Sequence, residues 1–186
     1  MNERLDATAV VADILRVFRE RGDRHYGEQV TERQHALQCA LFARERGESP
    51  ALVAACLLHD YGHLVHDLGE DIAARGVDAR HEEAGANRLS RWFPPEVVEP
   101  VRLHVAAKRY LCWKEPDYLA GLSAASRQSL QLQGGPMTPE EALEWEQNPH
   151  LEAALRLRRY DDQGKVTDLA TPDMESYRPL LEALVR

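Results

Sequence analysis

The sequence predicts an all-α fold, and three observations lead to this prediction. Residues that cap helices stand directly before proline at several points, an arrangement that suits the start of a helix. Apolar residues recur at the three- and four-residue spacing of an amphipathic helix. Segments that alternate apolar and polar residues, which would indicate half-buried strands, are almost absent.

These signals place helices in order along the chain, near residues 8–21, 31–46, 50–64, 80–91, 96–112, 123–131, 139–147, 150–164 and 173–185. In the first of them, apolar residues at helical spacing form one stripe: Val11, Ile14, Leu15 and Phe18. The second has a similar stripe that begins at Ala36, and Gly47 suits its end. The third begins at the pair Ser49-Pro50 and is almost entirely apolar as far as Leu58.

The next helices are predicted from apolar spacing, whereas the last ones also carry start signals. Thr138, followed by Pro139 and two glutamates, fits a capping box. Two later helices begin at the pairs Asn148-Pro149 and Thr171-Pro172, and the Gln-Gly-Gly-Pro stretch at 133–136 is the clearest loop. Because no repeat, low-complexity tract or linker interrupts this series, residues 1–186 are predicted to form a single domain.

The composition excludes several classes of function. With 186 residues and a net charge of −8, the chain is a poor candidate for binding nucleic acid or an anionic membrane surface. No apolar run approaches the roughly 20 residues that cross a bilayer, and the first residues lack a signal-peptide core. The cysteines Cys39, Cys56 and Cys112 lack a CxxC spacing and have apolar neighbours, which predicts reduced core thiols in a cytoplasmic protein.

The clearest functional motif is Leu-Leu-His-Asp-Tyr-Gly-His at residues 57–63, where a nearly apolar helix ends in His59 and Asp60. Burying a histidine and an aspartate together is costly unless something compensates, and a metal ion compensates both. His63 lies one turn beyond His59 on the same helix face. A buried, hydrogen-bonded His–Asp pair without metal explains this dipeptide equally well.

Further potential ligands favour the metal. Each of His35, His81 and His104 is placed near the apolar side of a predicted helix, where a single histidine is usually a satisfied core residue. Together with an aspartate on a later helix they complete a set of classical ligands from five helices: His35, His59, Asp60, His81, His104 and Asp161. So many protein ligands exceed what one catalytic metal ion needs and suit a pair of ions.

Around these ligands the chain resembles a known family. A histidine, then a His–Asp pair, then a distal aspartate is the pattern of the HD-domain superfamily, an all-helical metal-binding fold. Longer stretches are similar to the HD-type diiron oxygenases of phosphonate degradation, distant relatives of myo-inositol oxygenase: residues 28–38, 57–63, 78–82, 101–111, 126–136 and 157–165. The Leu-His-Val-Ala-Ala-Lys-Arg-Tyr-Leu block at 103–111 is much more specific than the His–Asp pair.

The resemblance implies an HD-domain helical bundle with a dinuclear metal site in its centre. In the family arrangement the first iron is held by His35, His59, Asp60 and Asp161. His81 and His104 hold the second iron, Asp60 bridges the two, and open positions remain on the second ion. The family cofactor is a mixed-valent Fe(II)/Fe(III) pair with dioxygen as co-substrate. Ligand type alone leaves two-metal hydrolysis open, since hydrolases use the same donors.

The spacing around the ligands also predicts an anion pocket. Lys108 lies one turn after His104, and Arg158 lies three residues before Asp161, so both cations project over the metal face. They would hold a phosphonate dianion, with Arg158 suited to bidentate contact. The alternative is that both are ordinary surface charges on their helices. A hydroxyl from Ser126 would assist, with Ser129 one turn away. His63 resembles the family residue that contacts substrate, and a hydrogen bond to a ligand carboxylate is the alternative.

One segment departs from the family pattern. In the family, a tyrosine three residues before a glutamate caps the open iron, and the glutamate contacts the substrate amine. Glu28 fits that carboxylate, but the position three residues earlier is His25, and the tyrosine is Tyr26. Either residue could therefore serve as the gate, and both could equally be ordinary loop residues.

The function expected from the resemblance is oxidative cleavage of a C–P bond. An α-hydroxyphosphonate, such as 2-amino-1-hydroxyethylphosphonate, would yield phosphate and a carboxylic acid, such as glycine. One alternative is a metal-dependent HD phosphohydrolase acting on a nucleotide or another phosphate ester, which needs no dioxygen. Another is a metal- or ligand-sensing helical module without turnover. The sequence does not decide the substituent on the phosphonate or the oligomeric state.

Overall fold

The computed structural model describes residues 6–25, 28–66 and 75–186. Within these ranges the chain forms only helices: α1 (Ala7–Arg21), α2 (Glu32–Glu45), α3 (Pro50–Leu58), α4 (Tyr61–Val65), α5 (His81–Leu89), α6 (Pro95–Lys114), α7 (Pro116–Gly121), α8 (Ala124–Leu132), α9 (Pro139–Trp145), α10 (Leu151–Gln163), a short 3-10 helix (Met174–Tyr177) and α11 (Arg178–Leu184). The predicted all-α class is confirmed.

Several predicted helix starts are confirmed by their capping contacts. Ser49 Oγ accepts a hydrogen bond from the Leu52 amide at 3.2 Å, with proline at the first helical position. Thr138 forms the predicted capping box with Glu141. Gly47 has a φ of 73°, a left-handed conformation that glycine adopts without strain, just beyond the end of α2.

Other predicted boundaries are wrong. The helix predicted at 50–64 is two helices, because Asp60 has a φ of −96° and a ψ of 11°, outside the α-helical region. The pairs Asn148-Pro149 and Thr171-Pro172 do not start helices. The first contributes a loop before α10, whose first residue is Leu151, and the chain end begins with the 3-10 helix, capped by Asp173. The helix α7 is too short for its periodicity to be visible in the sequence.

The helix α3 lies at the centre of the molecule. Its residues from Leu52 to Leu58 are all buried, and it packs against α2, α6 and α10. The main hydrophobic core continues through Val11, Ile14 and Phe18 of α1 to Leu181 of α11. The helix that ends in His59 and Asp60 is therefore held on all sides, so these two residues have a fixed position at the core boundary.

Two further sequence predictions can be compared with the fold. The three cysteines are free and buried, as expected for reduced core thiols. In the described part of the chain, none of the helices combines the length and apolar character required to cross a bilayer.

Candidate metal centre

The structure brings the predicted ligands together at the end of α3. They come from the elements that surround it: His35 from α2, His59 and Asp60 from the break between α3 and α4, His81 from the start of α5, His104 from α6 and Asp161 from α10. The four histidines and Asp161 are buried, and the Asp60 side chain is 17% exposed.

The first group of ligands surrounds one point in space. His35 Nε2 lies 3.1 Å from His59 Nε2 and 3.3 Å from Asp161 Oδ1. His59 Nε2 lies 3.2 Å from Asp60 Oδ2. These are the separations of donor atoms that share one metal ion with bonds of about 2.0–2.2 Å, because neighbouring ligands around such an ion are roughly 3 Å apart.

The second group uses the other oxygen of the same aspartate. His81 Nε2 lies 3.0 Å from His104 Nε2 and 3.2 Å from Asp60 Oδ1. Asp60 Oδ1 is also 3.6 Å from His104 Nε2. Each carboxylate oxygen of Asp60 therefore faces a different pair of histidines, which is the arrangement of a carboxylate that bridges two metal ions.

The ring orientations fit metal ions better than hydrogen bonds among the ligands. His35 Nδ1 donates to the Gly164 carbonyl at 2.7 Å, and His59 Nδ1 donates to the Cys56 carbonyl at 2.9 Å. His104 Nδ1 donates to the Val101 carbonyl, also at 2.7 Å. A neutral ring that donates from Nδ1 presents the lone pair of Nε2, and lone pairs about 3 Å apart repel unless a cation lies between them.

The acidic ligands are prepared for binding a cation. Burial alone would raise the pKa of Asp60, but the neighbouring His59 lowers it well below its usual value. Burial likewise opposes ionisation of Asp161, and the Arg158 charge overcomes it, so the pKa of Asp161 is also well below its usual value. The donor atoms are nitrogen and oxygen without thiolate, a set that suits iron or manganese as well as zinc.

Backbone geometry fixes the position of His81. Arg80, directly before it, has a φ of 46°, a left-handed conformation that is uncommon for a residue with a side chain. The backbone of Gly62 passes so close that an added Cβ would lie 1.9 Å from the His81 carbonyl oxygen. Gly62 therefore permits α4 to approach α5, a role that the motif at residues 57–63 does not reveal by itself.

Arg158 holds the predicted metal ligand Asp161 in place. Its guanidinium is buried, and Nη1 donates to Asp161 Oδ2 at 2.5 Å. Nε donates to the Tyr118 hydroxyl at 2.8 Å, and Nη2 donates to Asp162. The Tyr118 hydroxyl in turn donates to Asp162 Oδ2 at 2.5 Å. Asp162 therefore completes this network.

All of the predicted metal ligands except His59 line a cavity of about 190 Å³, together with the predicted substrate contacts. Lys108, Ser126, Ser129, Arg158, Glu28 and His63 all contribute to its wall. Lys108 is buried and donates to Ser129 Oγ at 2.8 Å. Burial, and then the Arg158 charge, lower the pKa of Lys108 to about 7. The structure thus gathers the predicted cations and hydroxyls at the metal centre.

Two residues of the cavity wall, Lys165 and Glu32, were not among the site residues predicted from the sequence. Lys165 donates to Glu28 Oε1 at 2.7 Å and to Ser126 Oγ at 3.0 Å. Its position directly after α10, four residues beyond Asp161, was the signal in the sequence. Glu32 also lines the cavity, and burial, followed by the charge of Asp60, raises its pKa to about 8. Glu32 stands three residues before His35 on α2, and this spacing, which places both side chains on one helix face, could have identified it.

The other residues predicted to contact the substrate or to gate the metal centre differ in where the structure places them. The His63 ring stacks on His81, with centroids 4.0 Å apart and planes 15° apart, so it lies beside the second ligand group. Glu28 lies in the cavity, but its charge is paired with Lys165. His25 is exposed, with Nδ1 3.3 Å from the Glu28 carbonyl oxygen. Tyr26 lies outside the described residues, so the predicted gate stays a prediction.

Comparisons with known proteins identify the family of this chain. The HD domain family model matches residues 33–154. A [1-hydroxy-2-(trimethylamino)ethyl]phosphonate dioxygenase (glycine-betaine-forming) from Leisingera caerulea is 42% identical, covering 98% of this chain and 93% of the relative. A hydroxymethylphosphonate dioxygenase from Gimesia maris is 42% identical, covering 93% of this chain and 87% of the relative. The chain therefore belongs to the HD-domain family, in the branch that contains these phosphonate dioxygenases. The predicted resemblance and the HD-domain bundle are confirmed.

Proposed function

We propose that this protein is an iron-dependent dioxygenase that cleaves the C–P bond of an α-hydroxyphosphonate, releasing phosphate and a carboxylic acid. The observation that carries the proposal is the pair of ligand groups joined by Asp60, beside a cavity lined with cations. Two phosphonate dioxygenases with 42% identity over nearly the whole chain support the same chemistry.

The ligand groups differ in how much room they leave for substrate. His35, His59, Asp60 and Asp161 would hold one iron, and His81 and His104 would hold the other with the shared Asp60. Two histidines and one carboxylate leave open positions, as in nonheme iron centres that bind substrate and dioxygen. When bound, the mixed-valent Fe(II)/Fe(III) pair supplies the activation of dioxygen and the oxidation of the substrate C–H bond.

The protein's own contribution is to hold the phosphonate. Lys108 reaches the cavity from α6, and Arg158 retains donor N–H groups beyond those used on Asp161, Asp162 and Tyr118. These cations attract a dianion into a protein whose net charge is −8. Fixing the phosphonate orients the adjacent C–H bond toward the metal centre, which is the proximity contribution to the rate.

The overall reaction balances without an external reductant. The C–P and C–H bonds of the hydroxylated carbon break, and that carbon becomes a carboxylate. One oxygen atom from dioxygen enters the carboxylate and the other enters phosphate, while a proton is released. All the electrons that reduce dioxygen come from the substrate.

An oxygen-dependence assay tests the proposal against the phosphohydrolase alternative. Iron-loaded protein is incubated with hydroxymethylphosphonate, with 2-amino-1-hydroxyethylphosphonate and with a phosphate ester, in air and under argon. We expect phosphate from a hydroxyphosphonate only in air, with one ¹⁸O atom per phosphate when ¹⁸O₂ is supplied. Electron paramagnetic resonance should show a coupled half-integer signal from the iron pair. Phosphate release that persists under argon, or none from any hydroxyphosphonate in air, would contradict the proposal.

A further inference from the structure

Glu82 is a buried carboxylate beside the metal centre that the reaction described above does not use. It follows the predicted ligand His81 on α5, is 9% exposed, and does not belong to the cavity wall. Among the described residues its Oε2 has no hydrogen-bond partner, and no lysine or arginine pairs with it. Because a buried carboxylate oxygen without a donor costs free energy, a donor within reach of this oxygen would stabilise it.

The ring of His81 offers such a donor. Its Nδ1 lies 3.6 Å from Glu82 Oε2, just beyond hydrogen-bond range, and a movement of roughly 1 Å or less would bring the two atoms into an ordinary hydrogen bond. Nε2 of the same ring points the other way, toward Asp60 and His104. The imidazole therefore lies between the metal centre on one side and the Glu82 carboxylate on the other.

The other ligand histidines show what Nδ1 of His81 requires. His35, His59 and His104 each donate from Nδ1 to a backbone carbonyl, and metal-binding histidines nearly always use their second nitrogen in this way. No carbonyl has this role for His81 among the described residues, where Glu82 stands in the equivalent position. One histidine of the second ligand group thus faces a carboxylate, whereas the other three have neutral partners.

The remaining contacts of His81 leave its tautomer open. The left-handed Arg80 and the close approach of Gly62 fix its backbone, and stacking on His63 fixes the plane of its ring. None of these contacts selects the nitrogen that carries the proton. A hydrogen bond from Nδ1 to Glu82 would make that selection and leave the lone pair of Nε2 for the metal.

We propose that Glu82 is a positioning residue for the second metal, whose carboxylate accepts the Nδ1–H of His81 and thereby orients the ring and strengthens Nε2 as a donor. A negative charge behind the imidazole also stabilises a higher positive charge on the metal in front of it, so Glu82 favours the more oxidised state of that ion. The inference rests on the two-metal centre of the proposed function and is independent of the substrate.

The test compares Glu82→Ala and Glu82→Gln with the control Glu83→Gln. Glu83 is the next residue of α5, its side chain is 37% exposed, and it pairs with Arg102, so the control removes the same charge away from the His81 ring. Iron content after reconstitution and desalting, and competition with a chelator, measure the affinity for each iron. A redox titration followed by electron paramagnetic resonance gives the reduction potential, and thermal melting is recorded for the metal-free proteins.

We expect Glu82→Ala to lower the affinity for the second iron about tenfold to a hundredfold while the first iron stays bound. Glu82→Gln keeps a hydrogen-bond acceptor, so it should retain more of this affinity. Its reduction potential should shift to more positive values than that of Glu83→Gln, because the charge behind the ligand is lost. Metal-free Glu82→Gln should melt no earlier than the wild type, since a buried amide costs less than a buried carboxylate without a partner.

Three results would overturn the inference: a second-iron affinity of Glu82→Ala that matches the control, equal loss of both irons, or equal reduction potentials for the two glutamine variants. Earlier melting of metal-free Glu82→Gln with an unchanged potential would show a structural role and would also overturn it. A wild-type protein that binds no second iron would remove the two-metal centre together with the inference. Because these measurements need no substrate, they are separate from the oxygen-dependence assay that tests the cleavage reaction.

Discussion

Asp60 Oδ1 lies 3.2 Å from Nε2 of His81, whereas the other oxygen of the same carboxylate faces the first histidine pair. Asp60 is the one residue of the predicted ligand set that belongs to both groups. It stands at the break between α3 and α4, where it is no longer constrained to point along a helix face. The two metal positions therefore depend on each other through this side chain.

This dependence predicts different metal contents for two variants. Asp60→Asn should lose both metals, because a neutral amide replaces the charged bridge. His81→Ala removes a ligand of the second group alone, so it should retain roughly one iron per chain where the wild type retains two. Metal analysis after reconstitution and desalting measures the difference.

A matched histidine variant controls for the loss of an imidazole. His150 is half-buried in the loop before α10 and does not line the cavity, so His150→Ala should keep the wild-type iron content. Full iron content in Asp60→Asn would contradict the bridged arrangement.

The Tyr118 hydroxyl supports the metal centre from a distance. It accepts a hydrogen bond from Arg158, which holds Asp161, and it donates to Asp162. Tyr118→Phe should loosen the guanidinium and lower iron affinity by about tenfold to a hundredfold, the usual cost of losing a group that orients a ligand. Competition with a chelator measures this affinity.

The control for Tyr118→Phe is the same substitution at Tyr110, whose hydroxyl also donates a hydrogen bond to a carboxylate. Tyr110 donates to Glu146 at 2.6 Å, so Tyr110→Phe loses a comparable bond that involves neither Arg158 nor Asp162. Its iron affinity should match the wild type. Equal iron affinities for all three proteins would exclude a supporting role for Tyr118.

The sequence predicted the ligands because their chemistry is visible in residue types. A histidine or aspartate among apolar residues is conspicuous, and the helical spacing placed Lys108 and Arg158 on the ligand face. The break after His59 was not predicted, because apolar residues continue at helical spacing through Leu64 although Asp60 and Gly62 are poor helix formers. It exists because the ligand pair and the approach to α5 override the local helical preference.

Contacts between distant segments were also beyond sequence analysis. The bond between Lys165 and Glu28 joins residues 137 positions apart, and neither residue carries a local signal of its partner. Likewise, Glu32 Oε2 has no hydrogen-bond partner among the described residues because of how they pack around it, which its own sequence position does not indicate. Such relationships depend on packing, which periodicity describes for one helix at a time.

The close approach of α4 and α5 predicts that Gly62 tolerates no side chain. A Cβ at this position would lie 1.9 Å from the carbonyl oxygen of His81, and backbone cannot move away as a flexible side chain can. Gly62→Ala should destabilise the fold by about 1–3 kcal/mol and displace His81. Chemical unfolding measures the first effect, and a lower iron content measures the second.

Gly121 provides the matched control for this substitution. It is the last residue of α7, and a Cβ there would meet nothing within 4 Å. Gly121→Ala should therefore keep the wild-type stability to within about 0.5 kcal/mol, together with its iron content. If Gly62→Ala matched Gly121→Ala in both measurements, the close backbone contact would be refuted.

The lowered pKa of Lys108 predicts a pH dependence of substrate capture. Burial and the Arg158 charge place this pKa at about 7, so the ammonium is charged below that pH and loses its charge above it. Attraction for the phosphonate should therefore weaken as pH rises through 7. Since kcat/KM reports the free enzyme, its decline above pH 7 should be up to about tenfold per unit.

Lys108→Arg separates this effect from the ionisation of the substrate, which is common to all variants. Arginine stays charged throughout the range, so the ratio of wild-type to variant kcat/KM should be constant below pH 7 and fall above it. Lys114→Arg, at the exposed end of the same helix, should follow the wild-type profile because its charge lies outside the cavity. A wild-type to Lys108→Arg ratio that does not change between pH 6 and 9 would mean that Lys108 does not bind the phosphonate as a titrating cation.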